Sequence, residues 1–69
     1  MADVRVDSIT DDDGDTIEVS YMGPIVVLRS VERETGHIQE VFLDAGRRDR
    51  FVRAYAEAER QAEAVPDGG

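Results

Sequence analysis

Residues 16–33, TIEVSYMGPIVVLRSVER, decide how this chain folds. Apolar and polar residues alternate over residues 16–22, which is the period-two pattern of a strand with one buried face. Gly23 and Pro24 interrupt the pattern, because proline cannot donate a hydrogen bond to a sheet ladder. The apolar run that follows predicts a second strand over residues 25–33, with apolar side chains on both of its faces. The stretch therefore predicts a β-hairpin.

One further strand is predicted on each side of this hairpin. Residues 3–9 alternate in the same way, and residues 37–43 carry a fourth set of apolar side chains. If residues 11–14 form the first loop, Val6 lies opposite Val19 and Val4 lies opposite Tyr21. If Gly23 and Pro24 form the next loop, Val19 lies opposite Leu28, and the first three strands gather apolar residues on one face. That set comprises Val4, Val6, Ile17, Val19, Tyr21, Val26 and Leu28. Two independent turns thus agree on one apolar face, which predicts an antiparallel sheet.

Residues 46–64 predict a helix after the strands. Asp44 can cap its start, because a short side-chain oxygen accepts the free amide hydrogens of the first turn. An apolar residue recurs at spacings of four, three and four along one helix face, and we expect that face to pack on the apolar side of the sheet. The helix face consists of Phe51, Tyr55, Ala58 and Ala62. The expected shared core consists of Val6, Val19, Leu28, Phe51 and Tyr55.

These patterns predict an α+β fold, a four-stranded antiparallel β-meander with one C-terminal α-helix packed on one face. The length of 69 residues allows one small domain, which we place at residues 1–64, before a disordered tail at residues 65–69. A domain of this size gains only a few kcal/mol from its own core, so association is a common way to enlarge that core.

The charge balance is strongly acidic. Sixteen acidic and eight basic residues give a net charge of −8, and every basic residue is an arginine. Such a composition is typical of a halophile, whose salty cytoplasm screens surface charge, although a GC-rich genome also replaces lysine by arginine. The charge disfavours nucleic acid and anionic membranes as partners. We expect a cytoplasmic protein without disulfides, a thiol nucleophile or a membrane-spanning segment.

The hairpin also leaves apolar side chains on the sheet face that the helix does not cover. Ile25, Val27 and Val31 point there, with Arg29 among them. Because arginine is enriched at interfaces, this patch predicts the interface of a homodimer. The fourth strand adds either Ile38 with Phe42 or Val41 with Leu43 to the patch, depending on whether the turn at residues 34–36 spans two or three residues.

Four arginines lie in the first turns of the helix, at positions 47, 48, 50 and 53. Free amide hydrogens and positive charge together suit an anion or a nucleic acid, so Arg47, Arg48, Arg50 and Arg53 are candidate binding residues. The alternative is that they pair with nearby carboxylates such as Asp44, Asp49 and Glu57. Over roughly residues 16–63, the order of elements resembles single-stranded-DNA-binding domains of the transcriptional-coactivator and Whirly type. This resemblance implies single-stranded nucleic-acid binding as an alternative function.

No residue pattern predicts catalysis, a metal or a cofactor. A calcium loop with Gly14 at its sixth position would place Ile9 at its first and Ser20 at its twelfth, and neither side chain suits those positions. His37 beside Gly36 has no obvious partner for acid–base chemistry. We therefore predict a noncatalytic interaction or regulatory module that acts through homodimerisation and binding to a protein partner.

Overall fold

The computed structural model describes residues 3–66 and contains five elements. They are β1 (Val4–Thr10), β2 (Thr16–Met22), β3 (Ile25–Val31), β4 (Ile38–Leu43) and α1 (Ala45–Glu63). The strands form one antiparallel sheet in the order β1-β2-β3-β4. The predicted α+β meander with a C-terminal helix is confirmed. Residues 67–69 of the predicted tail lie outside the described residues.

The first hairpin departs from the predicted register. Val4 pairs with Tyr21 as expected, but Asp7 rather than Val6 pairs with Val19, and the register shifts between Arg5 and Asp7. Five residues separate β1 from β2, one more than predicted, and a β-bulge at Val6 absorbs the extra residue. The predicted pairing of Val6 with Val19 is therefore wrong, and Val6 is 66% exposed.

The other two hairpins determine which side chains share a face. Val19 pairs with Leu28, as predicted, around a tight turn in which Gly23 has a φ of 59° that favours glycine. In the last hairpin Val27 pairs with Phe42 and Arg29 with Glu40. Of the two alternatives that the sequence left open, Ile38 and Phe42 are thus the pair that shares a face with Val27.

The register divides the sheet into two faces, which we name. The cleft face carries Val4, Asp7, Ile9, Ile17, Val19, Tyr21, Val26, Leu28, Ser30, Gln39, Val41 and Leu43. The arginine face carries Arg5, Ser8, Thr10, Thr16, Glu18, Ser20, Met22, Ile25, Val27, Arg29, Val31, Ile38, Glu40 and Phe42. The two faces differ in composition: the cleft face is mostly apolar, whereas the arginine face mixes charged, polar and apolar residues.

The molecule is flat and open for its size. Its principal extents are 45 × 32 × 16 Å and its radius of gyration is 14.2 Å, against about 11 Å for a compact domain of this length. Its accessible surface is 5693 Å², whereas a compact monomer of this mass exposes about 4,300 Å². Among residues 3–66, only Ser20, Val27 and Leu43 are buried. The single helix therefore leaves much of the sheet uncovered.

Candidate interaction surface

An open apolar cleft separates α1 from the cleft face of the sheet. α1 begins directly after β4, where the Asp44 carboxylate accepts a hydrogen bond from the Arg47 backbone N–H at 3.0 Å. The helix then contacts the sheet chiefly at β4, and the space between them is about 960 Å³. The sheet wall consists of Ile9, Ile17, Val19, Val26, Leu28 and Leu43. The helix wall consists of Ala45, Gly46, Arg48, Asp49, Phe51, Val52 and Tyr55.

The aromatic side chains that line this cleft remain exposed. Phe51 is 42% exposed and Tyr55 is 59% exposed, and their rings lie 6.3 Å apart on the same helix. Protein interiors rarely hold voids larger than a water molecule, so the cleft is an unfilled surface rather than a core. The predicted shared core is corrected accordingly: Val19, Leu28, Phe51 and Tyr55 line one cleft, and Val6 is not part of it.

An apolar stripe continues along α1 beyond the cleft. We call Phe51, Tyr55, Ala58 and Ala62 the helix stripe. Its second half forms a shallow groove bordered by Glu59 and Glu63. No described residue of α1 is buried, so the whole stripe faces outwards or into the open cleft. The sequence already indicated this exposure. Ala58 and Ala62 have small side chains, which cannot fill the space that Phe51 and Tyr55 leave open.

The arginine face holds the most buried residue of the described chain. Val27 is 1% exposed, between Ser20 on β2 and Phe42 on β4. Ile25, Val27, Arg29 and Val31, the residues predicted as an interface, do lie together on this face. Val27 presents no surface to another molecule, and the other three residues are half-buried. Their role in an interface stays a prediction.

Arg29 is the centre of a cluster of ion pairs on the same face. Its Nε and Nη2 atoms donate to one Glu40 carboxylate oxygen at 2.9 and 2.6 Å, and Nη1 donates to Glu18 at 3.4 Å. Asp3 approaches Nη2 at 3.6 Å and accepts a hydrogen bond from the Ser20 hydroxyl at 3.5 Å. The hydrogen bonds to Glu40, followed by its charge, raise the pKa of Arg29. The chain thus supplies carboxylates to Arg29 from three of its own segments.

The arginines at the start of α1 are mostly engaged within the chain. The Arg47 side chain pairs with Asp44 at 2.7 Å, and Arg53 pairs with Asp49 at 3.1 Å. Arg48 donates to the backbone oxygen of Pro24 at 2.9 Å. The hydrogen bond from the Arg47 backbone N–H is the main cause of a lowered pKa at Asp44. The local pairing considered for this cluster is thus found at Arg47 and Arg53, and anion binding stays a prediction.

The acidic turn between β1 and β2 is organised by the side chain of Asp11. One oxygen of Asp11 accepts from the backbone N–H of Asp13 at 2.9 Å and of Asp15 at 3.0 Å. Gly14 adopts a φ of 88°, a conformation that favours glycine. His37 lies in the loop between β3 and β4, at the same end of the sheet, and it is exposed. Within residues 3–66, no three histidine or acidic side chains are arranged to hold a metal ion.

Comparison with protein-family models, curated proteins and solved structures finds no match for this chain. No helix within residues 3–66 has the length and apolar character needed to cross a membrane. The function must therefore be argued from the cleft, the helix stripe and the arginine face themselves.

Proposed function

We propose that this chain is a small noncatalytic interaction module that acts as a homodimer and, in that form, binds a protein partner. The observation that carries the proposal is the open cleft, whose walls bring apolar residues of four strands and one helix to a surface in contact with water. Apolar surface of this extent is characteristic of an interaction site in a soluble domain. A cytoplasmic location remains part of the proposal.

The exposed area supports self-association. The accessible surface exceeds that of a compact monomer of this mass by on the order of 1,000 Å². A standard protein interface buries about 800 Å² on each partner. Removing this surface from water in a dimer would complete the core that each chain leaves unfinished.

The proposal is tested by the molar mass of the protein in solution and by two matched variants. Ala58→Glu places a charge on the helix stripe, whereas Ala56→Glu makes the same change on a different side of α1. We expect a dimer for the natural sequence and for Ala56→Glu, and a dimer at least about tenfold weaker for Ala58→Glu. Light scattering and sedimentation at 2 M KCl measure this, because that salt concentration screens the net charge of −8.

Two outcomes would refute the proposal. A natural sequence that stays monomeric at 100 µM in both low and high salt would show that the cleft does not drive self-association. Equal weakening by Ala56→Glu and Ala58→Glu would show that added charge, and not the helix stripe, controls the assembly.

Single-stranded nucleic-acid binding is the alternative function. The arrangement that favours it is the group of arginines at the start of α1, of which Arg50 makes no side-chain ion pair within residues 3–66. Fluorescence anisotropy with labelled single-stranded DNA and RNA tests it. Binding that weakens with salt and is lost in Arg50→Gln would support the alternative, whereas no binding at 50 mM salt would exclude it.

A further inference from the structure

We infer that the cleft is occupied by helix α1 of a second copy of this chain, which lies antiparallel to the first. The inference rests on the proposed homodimer and adds its geometry. The two α1 helices then run side by side between two cleft faces. Each helix then fills the space that the other chain leaves open between its sheet wall and its helix wall.

The helix stripe has the spacing and size gradient that such a pair requires. Phe51, Tyr55, Ala58 and Ala62 follow the alternation of three and four residues found along the seam of packed helices. The large residues stand at one end of the stripe and the small ones at the other. An antiparallel partner places the large residues of one helix against the alanines of the other, whereas a parallel partner opposes large with large and leaves voids at the alanines.

The charges of α1 select the same orientation. Its first half carries Arg47, Arg48, Arg50 and Arg53 with one acid, Asp49. Its second half carries Glu57, Glu59 and Glu63 with one base, Arg60. A parallel pair would therefore oppose arginine-rich with arginine-rich segments, and an antiparallel pair opposes basic with acidic segments.

The helix dipole adds a further reason for this pairing. The N-terminus of a helix favours negative charge and the C-terminus positive charge, but the first turn of α1 has no acidic residue and the last turn has only Arg60 as a base. An antiparallel neighbour brings carboxylates to the basic end and arginines to the acidic end. The second copy thus supplies, at each end of a helix, charges of the sign that the helix dipole favours and that the helix itself mostly lacks there.

A small apolar ligand would explain less of the surface. It would fill the cleft, but it would leave uncovered the outer half of the stripe, where Ala58 and Ala62 lie between Glu59 and Glu63. A second helix covers both the cleft and the outer half of the stripe. The excess accessible surface of each chain, on the order of 1,000 Å², is also of the size that a stable interface buries on each partner.

Cysteine cross-linking tests the orientation, since the chain has no cysteine of its own. In an antiparallel pair centred on the helix stripe, the two Ala58 positions are offset by about 5 Å along the helix axes, and the two Ala62 positions by about 17 Å. We expect a short bifunctional maleimide to link Ala58→Cys to itself and to leave Ala62→Cys largely unlinked. A parallel pair would link both variants equally.

The results separate this inference from the proposed function. A dimer that links at both positions, or at neither, would overturn the antiparallel helix pair while the homodimer remained. A monomer in light scattering would overturn both. Binding of an apolar dye by a monomeric natural sequence would identify the cleft as a small-molecule site and would also overturn both.

Charge reversal provides an independent test. In the antiparallel pair Arg48 lies close to Glu63 of the partner subunit, so Arg48→Glu and Glu63→Arg should each weaken the dimer severalfold at low salt. The double variant should recover most of the affinity, because the attraction is restored with reversed signs. Loss of the Arg48 hydrogen bond to Pro24 cannot account for that recovery, because the double variant lacks it too. A double variant weaker than both single variants would contradict the inference.

Discussion

The two faces of the sheet use their side chains in opposite ways. The cleft face is the more apolar of the two, yet of its residues only Leu43 is buried within the described chain. The arginine face mixes charged and apolar residues, yet it contains Val27 and Ser20, which are both almost inaccessible. Apolar composition therefore does not determine burial in so small a sheet. What matters is whether a neighbouring side chain is long enough to cover a residue.

Register explains why the mixed face covers its centre. Glu18, Arg29 and Glu40 form one row across three strands, and Ser20, Val27 and Phe42 form the next row. Long charged side chains lay their apolar stems over neighbouring residues and keep their heads in water. The ion pairs of Arg29 hold its row together beside Val27. On the cleft face, by contrast, covering depends on α1, which stands away from the sheet.

The largest effect is expected at Val27, at the centre of the arginine face. We expect Val27→Asp to unfold the chain, because an unpaired carboxylate at a buried site costs about 4 kcal/mol or more, which is comparable with the whole stability of a small domain. Val41→Asp on the cleft face is the control, since Val41 is 54% exposed. Circular dichroism and urea titration provide the measurement. A folded Val27→Asp protein would mean that the arginine face does not enclose Val27.

The next largest effect is expected at Phe51. Emptying a fully buried aromatic site costs about 3–5 kcal/mol, but Phe51 in the single chain is only partly covered. Phe51→Ala should therefore cost about 1–2 kcal/mol where the chain is monomeric and approach the larger range where it is dimeric. Urea titrations at 2 µM and 200 µM protein distinguish the two states. A loss that is independent of protein concentration would show that the cleft closes within one chain.

Arg29 tests how the mixed face is held together. Arg29→Met keeps an apolar stem but leaves Glu18, Glu40 and Asp3 without their shared cation. We expect a smaller loss of stability than for Phe51→Ala, and we expect 2 M KCl to remove most of it, because salt screens carboxylate repulsion. Arg53→Met, which removes only the exposed pair with Asp49, should change little. Equal effects of the two variants would show that the Arg29 cluster is an ordinary surface feature.

The smallest effect is expected at Asp44, where the helix starts at the edge of the cleft. Its folded pKa is lowered, so its contribution to stability is present above the unfolded pKa and is lost as the pH falls through the folded value. Asp44→Asn still caps a helix but has no carboxylate to titrate. The free energy of unfolding, measured between pH 5 and pH 2.5, should therefore fall less steeply with decreasing pH for Asp44→Asn than for the natural sequence. Identical slopes would rule out this contribution.

The sequence predicted the elements well because their periodicity is a local property. Alternation in the central hairpin and the cap at Asp44 depend on neighbouring residues, and both are confirmed. The bulge at Val6 was missed, because an extra residue in the first loop shifts the register without changing the alternation on either side of it. The open cleft was missed as well. How far a helix stands from a sheet depends on the angle at which the chain leaves β4, which periodicity does not determine.

The bulge at Val6 affects how readily further strands can be added to the sheet. An uncovered, regular edge strand invites further strands and thereby fibril growth, and natural proteins interrupt such edges with bulges and charges. β1 carries both, since the ladder is irregular at Val6 and Asp7 is turned towards the cleft face. The opposite edge, β4, is the strand that α1 contacts. Strand addition at the β1 edge is thereby obstructed, so a homodimer formed through the cleft faces, as proposed, would stay closed and would not extend along that edge.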